Sequence, residues 1–199
     1  LEGADGLLVF DTGRHAAHSA AILAAARALG KPVTAIVNSH WHLDHVSGNL
    51  AIKAAFPAVR VYASDAIDAA LAGFLKNGAD QGRKMLASGK LDPGMAEDVR
   101  GDIATFAAGA RLRPDVVIAT DGPLPFPGRT LFVHIARKAA TAGDIWLHDA
   151  EAKRVIAGDL VTLPVPFLDT GCPEGWLEAL RAIDAVDFTS LVPGHGPVM

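Results

Sequence analysis

The sequence has one cysteine, Cys172, in 199 residues. A lone thiol cannot close an internal disulfide, so no disulfide framework holds this chain together. A basic excess is missing too: 18 Lys plus Arg stand against 22 Asp plus Glu, a formal charge of −4. Nucleic acid and anionic membrane surfaces therefore have no global electrostatic attraction to it. No apolar run approaches the roughly 20 residues that span a bilayer. There is no Gly-x-Ser-x-Gly elbow, no Gly-rich phosphate loop, and no Ser-His-Asp or Cys-His signature. The chain begins at Leu1 rather than at a methionine. A processed or trimmed N-terminus is expected, which leaves the compartment open between the cytoplasm and a periplasmic or secreted location.

What is present is a globular composition. Half of the residues are hydrophobic and 20% are charged, which excludes a solvating, disordered chain. One domain of this size buries about 70% of its unfolded surface. Residues 6–11 read as a buried strand, 14–29 as a helix stopped by Gly30 and Pro32, and 33–37 as a second buried strand. A short helix over 48–56 and a strand over 60–63 continue the alternation, which argues for layered α/β architecture. Residues 65–110 predict two or three helices, with breaks near Gly78, Gly89 and Pro93. They read as an insertion that is either a lid or cap shaping access to a site or a purely structural helical insertion. Strands follow at 116–119, 130–135, 144–147 and 154–157, with antiparallel pairing expected. A helix over 173–186, with Trp176, Leu177, Leu180 and Ile183 inward, and a strand over 190–192 complete the pattern.

The chemistry sits in the histidines. His40-Trp41-His42-Leu43-Asp44-His45 follows a buried strand and precedes Gly48-Asn49. Imidazole and carboxylate donors suit a borderline divalent cation such as zinc. Three histidines and an aspartate in six residues exceed what one tetrahedral ion takes from one loop, so two metals are the economical reading. His195, in Pro193-Gly194-His195-Gly196-Pro197, is the fourth candidate histidine.

Together with Asp11-Thr12-Gly13 and Gly158-Asp159, these motifs resemble the metallo-β-lactamase superfamily, in the right order over nearly the whole chain. The resemblance implies a four-layer αββα sandwich formed by residues 1–199 as a single domain, with the helical insertion at 65–110. It places His40 and His42 on a first metal, Asp44, His45 and His195 on a second, and Asp159 on both. It implies a hydrolase in which a metal-activated hydroxide attacks a small-molecule ester, thioester, lactone or amide, with Asp44 orienting the nucleophile. Zinc is the expected cofactor, as one or two ions, with iron or manganese as alternatives. The expected partner is a small molecule, with no nucleic acid and no membrane.

Two departures stand out. The family carries a third histidine for the first metal in a His-Thr-x-Gly-Asp-like segment; here that segment is Ala140-Thr141-Ala142-Gly143-Asp144. Alanine cannot coordinate, so a tolerated or engineered loss at this position is expected to weaken the first site. A catalytically weak metal-binding module is the alternative function. His134 and His148 read as ordinary strand residues, and His15 and His18 lie in the first helix and read as surface residues, so none is expected to replace the missing donor. The second departure is at the ends, where flanking strands and a helix are short of the family pattern and truncation is expected. Among weaker candidates, Asp11 reads as a turn residue with a possible ligand-holding role. Phe126 and Phe167 read as core residues more readily than groove walls, and Cys172 stays outside the site.

Overall fold

The computed structural model describes residues 1–199. The first half builds a parallel sheet in the order β1-β2-β3-β4, from β1 (Leu7–Phe10), β2 (Val33–Val37), β3 (Arg60–Ala63) and β4 (Val116–Val117). The second half builds a five-stranded sheet from β5 (Gly122–Phe126), β6 (Arg129–Ala136), β7 (Asp144–Asp149), β8 (Arg154–Thr162) and β9 (Ser190–His195), in sequence order. Its first three pairings are antiparallel; β9 joins β8 in parallel, because α7 (Pro173–Asp184) carries the chain back across the sheet.

Three apolar layers hold the sandwich. Between the sheets, Leu8, Ala35 and Val37 meet Leu124, Leu131, Val133, Ile145 and Leu147. On the outer face of the parallel sheet, Ala26 of α1 (Ala16–Leu29) and Ile52 of α3 (Asn49–Ala55) pack on Val33, Ile36 and Val61. On the outer face of the other, Ala179 and Ile183 of α7 cover Trp146, Val155, Ala157 and Leu191. This is helix, sheet, sheet, helix, the four-layer αββα arrangement. Leu177 and Leu180 leave the inward face assigned to them and are exposed, as is Leu29 at the end of α1. One inward stripe of small residues, Ala26 or Ala179, is enough where a helix lies close on a sheet.

The strand β5 carries Pro123 and Pro125 and escapes the pattern reading. It is the edge of its sheet, where a residue without an N–H costs no ladder hydrogen bond. The insertion forms α4 (Ile67–Ala72), α5 (Phe74–Ala87) and α6 (Pro93–Ala108). Its first break falls at Gly73, and α5 runs through Gly78. Asp92 caps α6 by accepting from the Met95 N–H at 3.0 Å, with Pro93 opening the first turn. No helix is long and apolar enough to cross a membrane.

Candidate metal centre

Strand β2 ends at Val37, and the loop beyond it delivers His40 and His42 before the short helix α2 (Leu43–Val46) turns Asp44 and His45 into the same cleft. From the opposite sheet, β8 brings Asp159 and the end of β9 brings His195. Two glycines permit the approach. Gly158 takes φ +54°, and a Cβ there would run into Ser39; a Cβ on Gly194 would run into the Asp159 carboxylate.

The six side chains form one continuous cluster. His40 Nε2 lies 2.8 Å from His42 Nδ1 and 4.0 Å from Asp159 Oδ2. His45 Nε2 lies 3.3 Å from Asp159 Oδ1 and 3.4 Å from Asp44 Oδ2. His195 Nε2 lies 3.0 Å from Asp44 Oδ2 and 3.6 Å from Asp159 Oδ1. Two triads of donors, His40 with His45 and Asp159, and Asp44 with His45 and His195, each have all their donor atoms within 4.8 Å of one another.

Each loop imidazole is held from behind. His45 Nδ1 donates to Asp11 Oδ2 at 2.8 Å. Ser39 Oγ donates to the same oxygen at 2.7 Å, and its backbone N–H donates to Asp11 Oδ1. With its proton so committed, Ser39 Oγ accepts from His40 Nδ1 at 2.9 Å. Thr170 Oγ1 donates to the Ala140 carbonyl at 2.9 Å and accepts from His42 Nε2 at 3.2 Å. This network puts a proton on His40 Nδ1, His42 Nε2 and His45 Nδ1 and turns the other nitrogen of each ring inward.

That arrangement fits divalent cations. His40 Nε2 and His42 Nδ1 then present lone pairs to one another at 2.8 Å, which repel unless a proton or a cation sits against them. His45 Nε2 and Asp159 Oδ1 are buried with no hydrogen-bond partner, an arrangement that costs about 1–3 kcal/mol per uncharged group and more for charged ones. Cations would satisfy all four atoms.

The protonation states follow the same geometry. Burial drives the His40 pKa well below its ordinary value, with the neighbouring imidazoles of His45 and His42 adding to it. Burial likewise pushes His42 down to about 4. Burial would lower His45 as well, but Asp11, Asp159 and Asp44 surround it and hold its pKa well above the ordinary value. Burial opposes ionisation of Asp44, yet the imidazoles of His45 and His195 hold its carboxyl well below the usual range. A cation held by His45 Nε2 would displace its proton, so binding would release a proton.

The remaining histidines lie elsewhere. His134 stacks on Trp146 at 3.9 Å and pairs with Asp121, His148 meets the Asp187 carbonyl, and His15 faces Asp98. Ala140 is buried and offers only its carbonyl, to Thr170. Asp11 is both a turn residue, at φ +59°, and the anchor of His45. Thr170, which sequence reasoning passed over, carries no signal beyond lying in an irregular segment after β8. Phe126 is in the core, whereas Phe167 is 45% exposed and lines the cleft.

The two sheets thus close on a His-x-His-x-Asp-His loop and bring six side chains that could ligate metal into one cleft. The chain belongs to the metallo-beta-lactamase superfamily, whose sequence pattern matches residues 1–195. It is 26% identical, over 98% of its length, to the linear primary-alkylsulfatase of a Pseudomonas species, and it spans 40% of that relative's length. Two solved structures share the fold. A metallo-beta-lactamase from Pontibacter korlensis is 21% identical with a TM-score of 0.69, over 100% of this chain and 78% of that one. The stereoselective inverting sec-alkylsulfatase Pisa1 from Pseudomonas sp. is 18% identical with a TM-score of 0.66, over 100% of this chain and 35% of that one.

Proposed function

We propose that the chain is a metal-dependent hydrolase acting on a small-molecule ester, thioester, lactone or amide, and that sulfate esters join this set through the likeness to alkylsulfatases. The observation that carries the proposal is the convergence of two donor triads, His40 with His45 and Asp159 and Asp44 with His45 and His195, each with its donor atoms within 4.8 Å of one another. His40, His42 and Asp159 would hold one cation; Asp44, His45, His195 and again Asp159 would hold another. Zinc, or else iron or manganese, would supply Lewis acidity to the substrate oxygen and bring the pKa of a water to about 7.

The chain's own groups prepare the rest. Asp44 is ionised, and its Oδ2 stands beside His195 on the more exposed side of the cluster, where it would orient a water. His195 is 44% exposed and borders the substrate side, while His40 and His45 are sealed below. Asp11, Ser39 and Thr170 keep the three loop imidazoles in their tautomers while the substrate changes.

Elemental analysis of the purified protein tests this together with hydrolysis of an ester panel. Bound divalent metal and turnover that falls with His195→Ala and Asp44→Asn are expected. A protein that folds, takes up no metal and hydrolyses nothing overturns the proposal. A second reading, a metal-binding module with weak catalysis, draws on Ala140, which leaves the first set one donor short; metal without turnover is its outcome.

A further inference from the structure

We propose that the cleft beside the metal donors receives an uncharged hydrocarbon group of the substrate, held between Phe74 and Phe167, and discriminates against an anionic group in that place. The assignment of a reacting end at the metal donors rests on the hydrolase reading above; the hydrocarbon subsite does not.

The cleft has a volume of about 550 Å³ and runs outward from His42, Asp44, Asp159 and His195. Phe74 opens α5, and Phe167 lies in the irregular segment after β8, so two distant parts of the chain bring aromatic rings to one place. Their centroids are 6.3 Å apart at 81°. Phe167 stands edge-on to the His42 ring at 5.3 Å, and Phe74 packs on Trp41 at 5.3 Å. Both phenylalanines stay exposed, at 44% and 45%, and Leu163 and Val165 beside them are exposed as well. Apolar surface kept open inside a concavity, rather than scattered over the outside, marks a place where hydrocarbon is to be covered.

Charge narrows the occupant. Arg14 is the one Lys or Arg among the residues that line the cleft, and its guanidinium is committed to Asp102 through two hydrogen bonds, of 2.9 and 2.5 Å. The other charged lining groups are Asp44 and Asp159, which face the imidazoles. An anionic tail therefore finds no unmatched cation beyond the metal donors, and a cationic tail finds no unmatched carboxylate. A neutral hydrocarbon loses nothing on entering and covers four apolar side chains.

The test measures binding by isothermal titration calorimetry on the full chain kept metal-free with a chelator, with 4-hexylphenol and the similarly long 5-(4-hydroxyphenyl)pentanoate as probes. The neutral probe should bind about tenfold more tightly than the anionic one. Phe74→Ala and Phe167→Ala should each weaken 4-hexylphenol by about fivefold, with the Leu variants in between. Asp102→Asn, which leaves Arg14 unmatched, should narrow the ratio between the two probes. Equal affinity of the parent for both probes overturns the proposal. So does unchanged 4-hexylphenol affinity in both Phe→Ala variants. If either of these fails to fold by circular dichroism, the probe ratio and its response to Asp102→Asn decide. Preference for 4-hexylphenol in a protein that turns over no ester would remove the hydrolase reading and leave the subsite standing; turnover indifferent to the tail would do the reverse.

Discussion

Asp11 Oδ2 accepts a hydrogen bond from His45 Nδ1 at 2.8 Å, while Asp11 Oδ1 accepts from the Ser39 backbone N–H at 2.7 Å. One carboxylate thus fixes both the ring that faces Asp159 and the start of the loop that carries His40. Asp11→Asn removes the negative charge and one acceptor from this arrangement. Zinc affinity should fall by about 10–100-fold, the usual consequence of losing a group that orients a ligand histidine. Competition against a chromophoric chelator measures it, and unchanged affinity would mean that Asp11 serves the turn alone.

Ala140 makes the second prediction. On the proposed assignment, Asp44, His45, Asp159 and His195 would give one cation four donors, and His40, His42 and Asp159 would give the other three. The first equivalent of zinc should bind tightly and the second weakly. Ala140→His should raise the metal content towards two per chain and, on the proposed hydrolase reading, raise hydrolysis with it, since a second cation there would supply further Lewis acidity. Stoichiometry by elemental analysis and turnover should move together. If neither moves, Ala140 does not stand at the ligand position.

Asp144 gives a pH prediction for the metal-free protein. Burial pushes its pKa up to about 7, against two hydrogen bonds from Thr141 that favour the ionised form. The folded state therefore binds this proton more tightly than the unfolded chain, whose carboxyl titrates near 3.8. Stability from this group is present at low pH and is lost as pH rises from about 4 to about 7, by up to a few kcal/mol. Asp144→Asn should remove that loss while keeping an acceptor for the Thr141 N–H. The difference in urea midpoint between parent and variant should change between pH 4.5 and 7.5 in the presence of a chelator. A difference that stays constant would refute the assignment.

The helical insertion supplies the fourth. Phe74, Leu75, Asp102 and Phe106 reach the cleft from α5 and α6. Replacing residues 74–108 by a short linker should change relative rates among esters more than it changes zinc affinity, because all six donors lie outside the segment. Equal loss of both would assign the segment a purely structural role.

Much of the candidate cluster is legible in the sequence because its side chains sit in short motifs bound to strand ends. His40, His42, Asp44 and His45 follow a buried strand at fixed spacing, and Gly158-Asp159 and His195 need no long-range information to be noticed. Other parts are not legible for definite reasons. Asp11 serves a left-handed turn and an imidazole at once, and either use alone accounts for an aspartate there. Thr170 and Phe167 lie in a segment with no periodicity, so only the fold shows that one meets His42 and the other lines the cleft. The strand β5 is masked by Pro123 and Pro125, and its place at the sheet edge is what tolerates them. The outward turn of Leu177 and Leu180 is likewise a matter of packing: α7 meets its sheet through Ala179 and Ile183.

The donors are divided between the sheets, with His40, His42, Asp44 and His45 beyond β2 and Asp159 and His195 on β8 and β9. The only covalent bridge between the halves is the single crossing from β4 to β5, at residues 118–121. Cutting the chain there separates two fragments that each retain an intact sheet but an incomplete set of donors. Zinc should then act as a molecular rivet, promoting association of the fragments in proportion to its own concentration, and a chelator should release them. Fragment complementation by zinc, followed by sedimentation, would turn a coordination site into a measure of how firmly the two sheets adhere.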